Sequence, residues 1–407
     1  MGAAVFTESF APSGGIAINF RSRIRKGRKT IMKRILALTL IFALLLAGCG
    51  GRTPAANQPE TTAPQQTQAP ATEATVPETT EAATEEPTEA PTEPPVPFNP
   101  LNGEILDAPF DGRIYASTIS NIPDALPHVN VVKADILMEM LVNNSIDRCL
   151  ALFSDIGGIE AIGSTRSTRL MFNNITQHYN AILSHGGGSE MVISDANARG
   201  IAHYNVDSLM RQGDPLMKGT AYRDKEYKHG EHNLFVIGDG VKAYAESKGQ
   251  QLTGNPEHDY GLRFVDDAPP ASGEDAKSIS VTFTWDETKK ETVMKYDESL
   301  NKYVFNQYGK EMRDQITDEP EAFQNVVIMH ADIYKDWIYY NANFEKGGTG
   351  YYACGGKIIP INWACNGENE PFVFCDENWN PIPFTRGNTY IAICTPESPV
   401  VWTAEAE

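Results

Sequence analysis

Two arginines three residues apart, Arg166 and Arg169 in the stretch GIEAIGSTRSTRLMFNNITQHY, are well placed to do chemistry. Residues at i and i+3 share a helix face. The pattern predicts a helix starting here, with Ser164 or Thr165 as its N-cap and Ser167 and Thr168 in its first turn. Free backbone N–H groups, two hydroxyls and two guanidinium forks would make a cradle for an oxyanion or a phosphate. Cations in a first turn oppose the helix dipole, at a cost of roughly 0.3–1 kcal/mol each. One charge-assisted partner, worth about 1.5–3 kcal/mol, outweighs that cost. An internal carboxylate is the first expectation, with Asp135, Glu139, Asp147, Asp195 and Asp224 as candidates, and an external anion is the second.

Two further polar stretches follow. In LSHGGGSE, His185 precedes Gly186, Gly187, Gly188 and Ser189. Three glycines after a strand let the backbone turn sharply or approach a ligand closely. HGGG also occurs in the oxyanion holes of lipases and esterases, but that chemistry needs a G-x-S-x-G nucleophile elbow, and the chain has none. The third stretch, YRDKEYKHGEHNL, groups Arg223, Asp224, His229, His232 and Asn233. Its H-x-x-H spacing alone is a weak metal signal, and an ordinary polar loop explains it better, so no metal and no cofactor is expected. His178 and His203 are expected to be structural.

The elements that must position these residues read as alternating strands and helices. RIYASTIS (113–120), RCLALFS (148–154) and NAILSH (180–185) read as strands. ADILMEMLVNN reads as a helix, with Ile136, Leu137, Met140 and Leu141 on one face, and DGVKAYAESKG as a helix closed by Gly249. This predicts an α/β N-terminal domain over 98–264, a mixed sheet covered by helices. Past the Pro/Gly/Ser/acid-rich stretch 265–276, segments such as SISVTFTW, NKYVFNQYG and TYIAICT alternate apolar and polar residues. They predict a β-rich C-terminal domain over 277–402, and an α+β chain overall.

The first hundred residues do not belong to that folded part. Residues 1–34 carry eight basic residues against one acid, and a short apolar run, ILALTLIFALLLA, follows. That run falls short of the about 20 residues needed to span a bilayer, and the layout is that of a secretory signal. Met32 reads as the start, with 1–31 an upstream extension and 32–48 the signal peptide. LAGC (46–49) resembles a lipobox, which implies a lipid on Cys49 and a location outside the cytoplasm, anchored to the membrane. The stretch to about Pro97 is rich in Thr, Glu, Pro and Ala and has almost no large apolar residues, as in a disordered tether. The whole chain has a net charge of −19 with the basic leader included. Such acidity excludes nucleic acid as a partner. Five cysteines besides Cys49 cannot all pair within one chain; Cys149 reads as a core residue, and one or two bridges are open among the other four.

The three polar stretches, in this order after a lipoprotein signal, resemble the YerB-like family of bacterial lipoproteins, described as a domain of unknown function with a separate C-terminal domain. The segments that carry the resemblance are ISNIPDALPHVNVVKADILMEMLVNNSIDRCLALF, IGSTRSTRL, LSHGGGSE and YRDKEYKHGEHNLF. The resemblance places Asp135, Glu139, Arg148, Arg166, Ser167, Arg169, His185, Gly187, Gly188, Ser189, Arg223, Asp224, His232 and Asn233 at the family's motif positions. Asp135, Glu139 and Arg148 stand as structural ion-pair candidates, and the other eleven as ligand-binding candidates. Two departures stand out: Ser164 replaces the family's proline, and Cys365 in NWACNG replaces a lysine. The resemblance implies a lipoprotein with a shared polar site and supplies no reaction. Three functions follow: binding an anionic cell-envelope component, hydrolysing a phosphodiester or glycosidic link with His185 or His232 as acid or base, or binding a protein partner.

Overall fold

The structure is a computed structural model that describes residues 96–405, apart from 145, 226–229, 255–257, 267–269, 271, 286 and 287. The expected signal peptide, Cys49 and nearly all of the tether lie outside the described residues. Among the strands of the two main sheets are β1 (Tyr115–Ser120), β2 (Ile136–Asn143), β3 (Ile146–Phe153), β4 (Ile182–His185), β5 (His203–Asn205), β6 (Ser278–Trp285), β7 (Thr288–Asp297) and β8 (Lys302–Gln307). They continue with β9 (Asn325–His330), β10 (Asp332–Asp336), β11 (Tyr339–Asn343), β12 (Gly348–Cys354), β13 (Lys357–Ala364), β14 (Thr389–Cys394) and β15 (Val400–Thr403). The three longest helices among the described residues are α1 (Leu170–His178), α2 (Glu190–Ala198) and α3 (Gly238–Ser247).

The large sheet runs β13–β12–β9–β14–β2–β3–β1–β4–β5, with the β10–β11 hairpin joined to the end of β2. It is mixed: β1–β4, β4–β5, β2–β14 and β9–β14 are parallel, whereas β1–β3 and β2–β3 are antiparallel. A second sheet, β8–β7–β6–β15, is antiparallel throughout. The fold is α+β, with the helices concentrated in the first half and strands dominating the second.

One expectation gives way here. Residues 136–143 form a strand, not a helix. Both faces of β2 are buried: on one, Glu139 meets Lys290 and Thr292 of the second sheet, and on the other Met138, Met140 and Val142 are as buried as Leu137. A strand buried on both faces reads as a continuous apolar run, and periodicity cannot tell it from a helix. The stretches on either side of 265–276 meet in the large sheet. β2 from the first pairs β14 from the second over five residues, and one apolar cluster runs from Leu137 and Phe153 to Val327 and Ile391. The described residues form one compact unit. No disulfide joins any two of the five described cysteines, and Cys149 is fully buried as expected.

Candidate functional site

The segment from Ser164 to Arg169 is extended, and the helix begins only at Leu170, with Arg169 as N-cap at φ −138°. Its backbone is claimed before it can cradle anything. Thr165 N donates to Leu234 O at 2.8 Å, Arg166 N to Thr118 O at 3.1 Å and Thr168 N to Gly187 O at 2.9 Å. Ser120 N donates to Ser164 O, and the Ser164 hydroxyl to His232 O at 2.5 Å, so Ser164 is held by β1 and the His232 loop. The segment crosses the carboxyl ends of the parallel strands β1 and β4, where open α/β sheets bind ligands.

Three guanidiniums converge there. Arg148 leaves β3 opposite Ser120 of β1, donates Nη1 to Ser167 O at 2.6 Å and is only 3% exposed. Arg169 donates Nη1 to Thr168 O at 2.8 Å, and its Cζ lies 4.5 Å from the centre of the Tyr339 ring, the first residue of β11. Arg166 donates Nη1 to Glu231 O at 2.9 Å and pairs Nη2 with Glu231 Oε2 at 3.0 Å. Glu231 is the one carboxylate among the described residues within ion-pair distance of the three, and its side chain is 70% exposed. Asp135, Glu139, Asp147 and Asp195 have other partners, and none forms an ion pair with Arg166 or Arg169. Nε of both Arg148 and Arg169 is buried without a hydrogen-bond partner.

The electrostatics follow from that imbalance. Burial, then the charges of Arg169 and Arg166, pushes the Arg148 pKa well below the ordinary guanidinium value. Burial lowers Arg169 too; Tyr339 opposes this and Arg166 adds to it. The hydrogen bond and charge of Arg166 hold the Glu231 carboxyl below its usual range. Cations crowded into a partly desolvated place favour any anion that can approach.

The glycine loop supports this segment from behind. His185 is fully buried rather than at a lip: Nδ1–H donates to Gly187 O at 2.7 Å, and Nε2 accepts from His203 Nδ1 at 3.0 Å. Burial, reinforced by His203, pushes its pKa down to about 3, so the ring is neutral. Gly187 has φ +106°, and a Cβ on Gly188 would stand 2.9 Å from Ile193 Cδ1. Ser189 caps α2 by accepting from Val192 N at 3.4 Å, and the Ser167 hydroxyl donates to Gly186 O at 3.3 Å.

Across the site, Arg223 donates Nε and Nη2 to Asp207 Oδ1 at 3.0 and 2.8 Å and Nη1 to Asn233 Oδ1 at 2.6 Å. Asp224 N donates to Asn233 O. These contacts fix the loop that presents Glu231 and His232; His232 is buried, with Nδ1 3.5 Å from Ser120 Oγ. His229 lies outside the described residues. No group of three or more His, Cys, Asp or Glu among the described residues has metal-binding geometry.

Residues 102–251 match the family described as "Protein of unknown function (DUF3048) N-terminal domain", and residues 279–391 match its C-terminal domain. The chain belongs to the DUF3048 family. It is 28% identical over 284 residues to "Putative lipoprotein YerB" of Bacillus subtilis (strain 168), covering 69% of this chain and 81% of that one. The crystal structure of YerB protein from Bacillus subtilis shares the fold, with a TM-score of 0.63 and 24% identity over 75% of this chain and 99% of that one.

Of the three ion-pair candidates in this DUF3048 chain, only Glu139 makes one. Asp135 accepts hydrogen bonds from Asn102 Nδ2 at 2.6 Å and Ser154 N at 2.6 Å and faces no cation; Arg148 belongs to the arginine cluster. Glu139 pairs with Lys290 of β7, whose Nζ also lies 3.2 Å from Asp147 Oδ2. Tyr390 donates to Glu139 Oε2 at 2.6 Å, Thr292 at 3.0 Å, and Asn121 Nδ2 donates to Asp147 Oδ2 at 2.6 Å. Lys290 escapes a motif search because it lies 151 residues from Glu139. Strand alternation does mark it, since Lys290 shares a face with the buried Thr292 and Met294. Glu231 and Tyr339 carry no comparable signal.

Proposed function

We propose that this DUF3048 chain is a lipoprotein of the bacterial envelope that binds the phosphate or carboxylate groups of an anionic envelope component at its arginine cluster. The observation that carries the reading is the charge imbalance: three guanidiniums share one exposed carboxylate, and two of them keep a buried, unpartnered Nε. Glu231 occupies the fork of Arg166 as an internal stand-in, and a more highly charged anion displaces it. Arg148 and Arg169 supply field from behind, where water screens them least. The name of the Bacillus subtilis relative and the LAGC stretch support anchoring through a lipid on Cys49. Among the described residues no helix is long and apolar enough to cross a membrane.

A hydrolase at the same place lacks its acid or base at His185, whose two ring nitrogens are both engaged and whose ring stays neutral. Calorimetric titration with inorganic phosphate and pyrophosphate tests the binding reading. Glu231→Gln should tighten binding severalfold, and an Arg166→Ala, Arg169→Ala double substitution should abolish it. Equal affinities in all three folded proteins, or no binding to any, would overturn it.

A further inference from the structure

Beside the arginine cluster stands the β10–β11 hairpin, and its tip is unlike an ordinary turn. Two residues, Trp337 and Ile338, join Asp336 to Tyr339. Two-residue hairpin turns favour Asn, Asp and Gly because the chain must take positive φ there. Here Trp337 takes φ +58°, a conformation unfavourable for any residue that carries a Cβ. Its indole is 76% exposed, with Ile338 and Tyr334 also open to solvent at 43% and 45%. Its ring has one aromatic neighbour among the described residues, Tyr339, and strain of this kind collects at ligand sites.

Its position points to what it meets. The Trp337 ring centre lies 6.1 Å from that of Tyr339, and Tyr339 is the ring that covers the Arg169 guanidinium at 4.5 Å. An exposed apolar face thus continues directly into the cation cluster. A ligand that fits both is amphipathic on the scale of one ring: an apolar face to lie on the indole, and an anionic group to reach the guanidiniums. A pyranose has such a face in its axial C–H bonds, and a phosphate on the same sugar supplies the charge. We propose that the arginine cluster and the hairpin form one site for a phosphorylated sugar, with Trp337 stacking on the ring and the guanidiniums holding the phosphate. This rests on the anion-binding reading above and narrows its ligand to a class. A flat lipid surface fits less well, because Arg148 and Arg169 are recessed, 3% and 7% exposed, and only a protruding group reaches them.

The test uses the full chain and three probes in calorimetry: N-acetylglucosamine 1-phosphate, inorganic phosphate and N-acetylglucosamine. The sugar phosphate should bind about tenfold more tightly than phosphate, the equivalent of one good aromatic contact. Trp337→Ala should erase that preference while leaving phosphate affinity within about twofold, and Trp337→Tyr should restore most of it. Sugar phosphate and phosphate binding alike to the wild type, or a preference untouched by Trp337→Ala, would sink the phosphosugar assignment and leave the anion site standing. Absence of binding by both phosphate-bearing probes would remove the anion site as well. Loss of sedimentation with phosphatidylglycerol vesicles in Trp337→Ala, with sugar-phosphate binding unchanged, would make the hairpin a membrane contact and overturn the proposal.

Discussion

Replacing Asp147 by Asn should change how stability depends on pH, and the structure supplies the size of the effect. Burial pushes the Asp147 pKa from an ordinary value of 3.8 to about 7; Lys290 opposes this and the Glu139 charge adds to it. An acid whose folded pKa stands above its unfolded one holds a proton that the unfolded chain has released. Its contribution to stability is therefore greatest at low pH and falls as pH rises through about 4 to 7. Each unit is worth about 1.4 kcal/mol, so some three units set a ceiling of about 4 kcal/mol. Coupling to Glu139 and Lys290 should bring the measured effect nearer 2 kcal/mol. Asn keeps the shape. Its carbonyl can accept from Asn121 and Lys290, where Oδ2 does now, and its amide can face the Tyr308 hydroxyl, 3.4 Å from Oδ1. Urea unfolding at pH 5 and pH 8 is the assay, read as the difference between variant and wild type so that the histidines cancel. The variant should match the wild type or fall slightly below it at pH 5 and exceed it by about 2 kcal/mol at pH 8. A difference that does not change with pH would refute the claim that Asp147 titrates near neutrality inside the fold.

Lys290→Met strands Glu139 and Asp147 without their cation and should cost about 3–5 kcal/mol in urea unfolding at pH 8, and less at pH 5, where Asp147 is neutral. Arg148→Met should do the opposite, raising stability by about 1–2 kcal/mol because it removes a buried charge with no carboxylate, while weakening phosphate binding in the titration above. A lower melting temperature in that variant would show that the bond to Ser167 O outweighs the desolvation. Burial depresses His178 to about 4 and His185 to about 3, so both add stability above pH 6.5 that is lost as pH falls. His178→Phe, placed among Phe344 and Phe372, should remove roughly half of that acid sensitivity, about 2 kcal/mol between pH 6.5 and 5, in melting curves.

What could be read in advance depended on how locally each feature is encoded. The strands at 115–120, 146–153 and 182–185 are short apolar runs bounded by turn residues, and their position needs no knowledge of the rest of the fold. β2 misled because both of its faces are buried, one of them against Lys290 of the second sheet, which leaves no alternation to see; its partner along the edge, β14, lies some 250 residues away in sequence. The same long-range pairing joined two stretches whose textures differ into one sheet. The helix at 170–178 was legible, but its start was not. The backbone groups of Thr165, Arg166 and Thr168 find partners on β1, on the glycine loop and at Leu234, so the chain stays extended until Arg169.

The site was legible as a set of residue types and not as a set of roles, and the difference lies in charge compensation. Two groups of buried charges sit in this protein. Around Lys290, two carboxylates, two hydroxyls and an amide surround one ammonium, so that nearly every polar atom is answered. That is how a chain treats charges it buries for structure, because an unanswered charge in a core costs several kcal/mol. Around Arg148 the same chain leaves three cations to one exposed acid and two Nε–H groups to nothing. A fold able to satisfy the first group so fully had the means to satisfy the second. Asp195, which was a candidate partner for the arginine pair, instead serves Arg199 and Asn173. The imbalance at the arginines is therefore a property of the site itself, and it is the feature on which the proposal of an incoming anion rests.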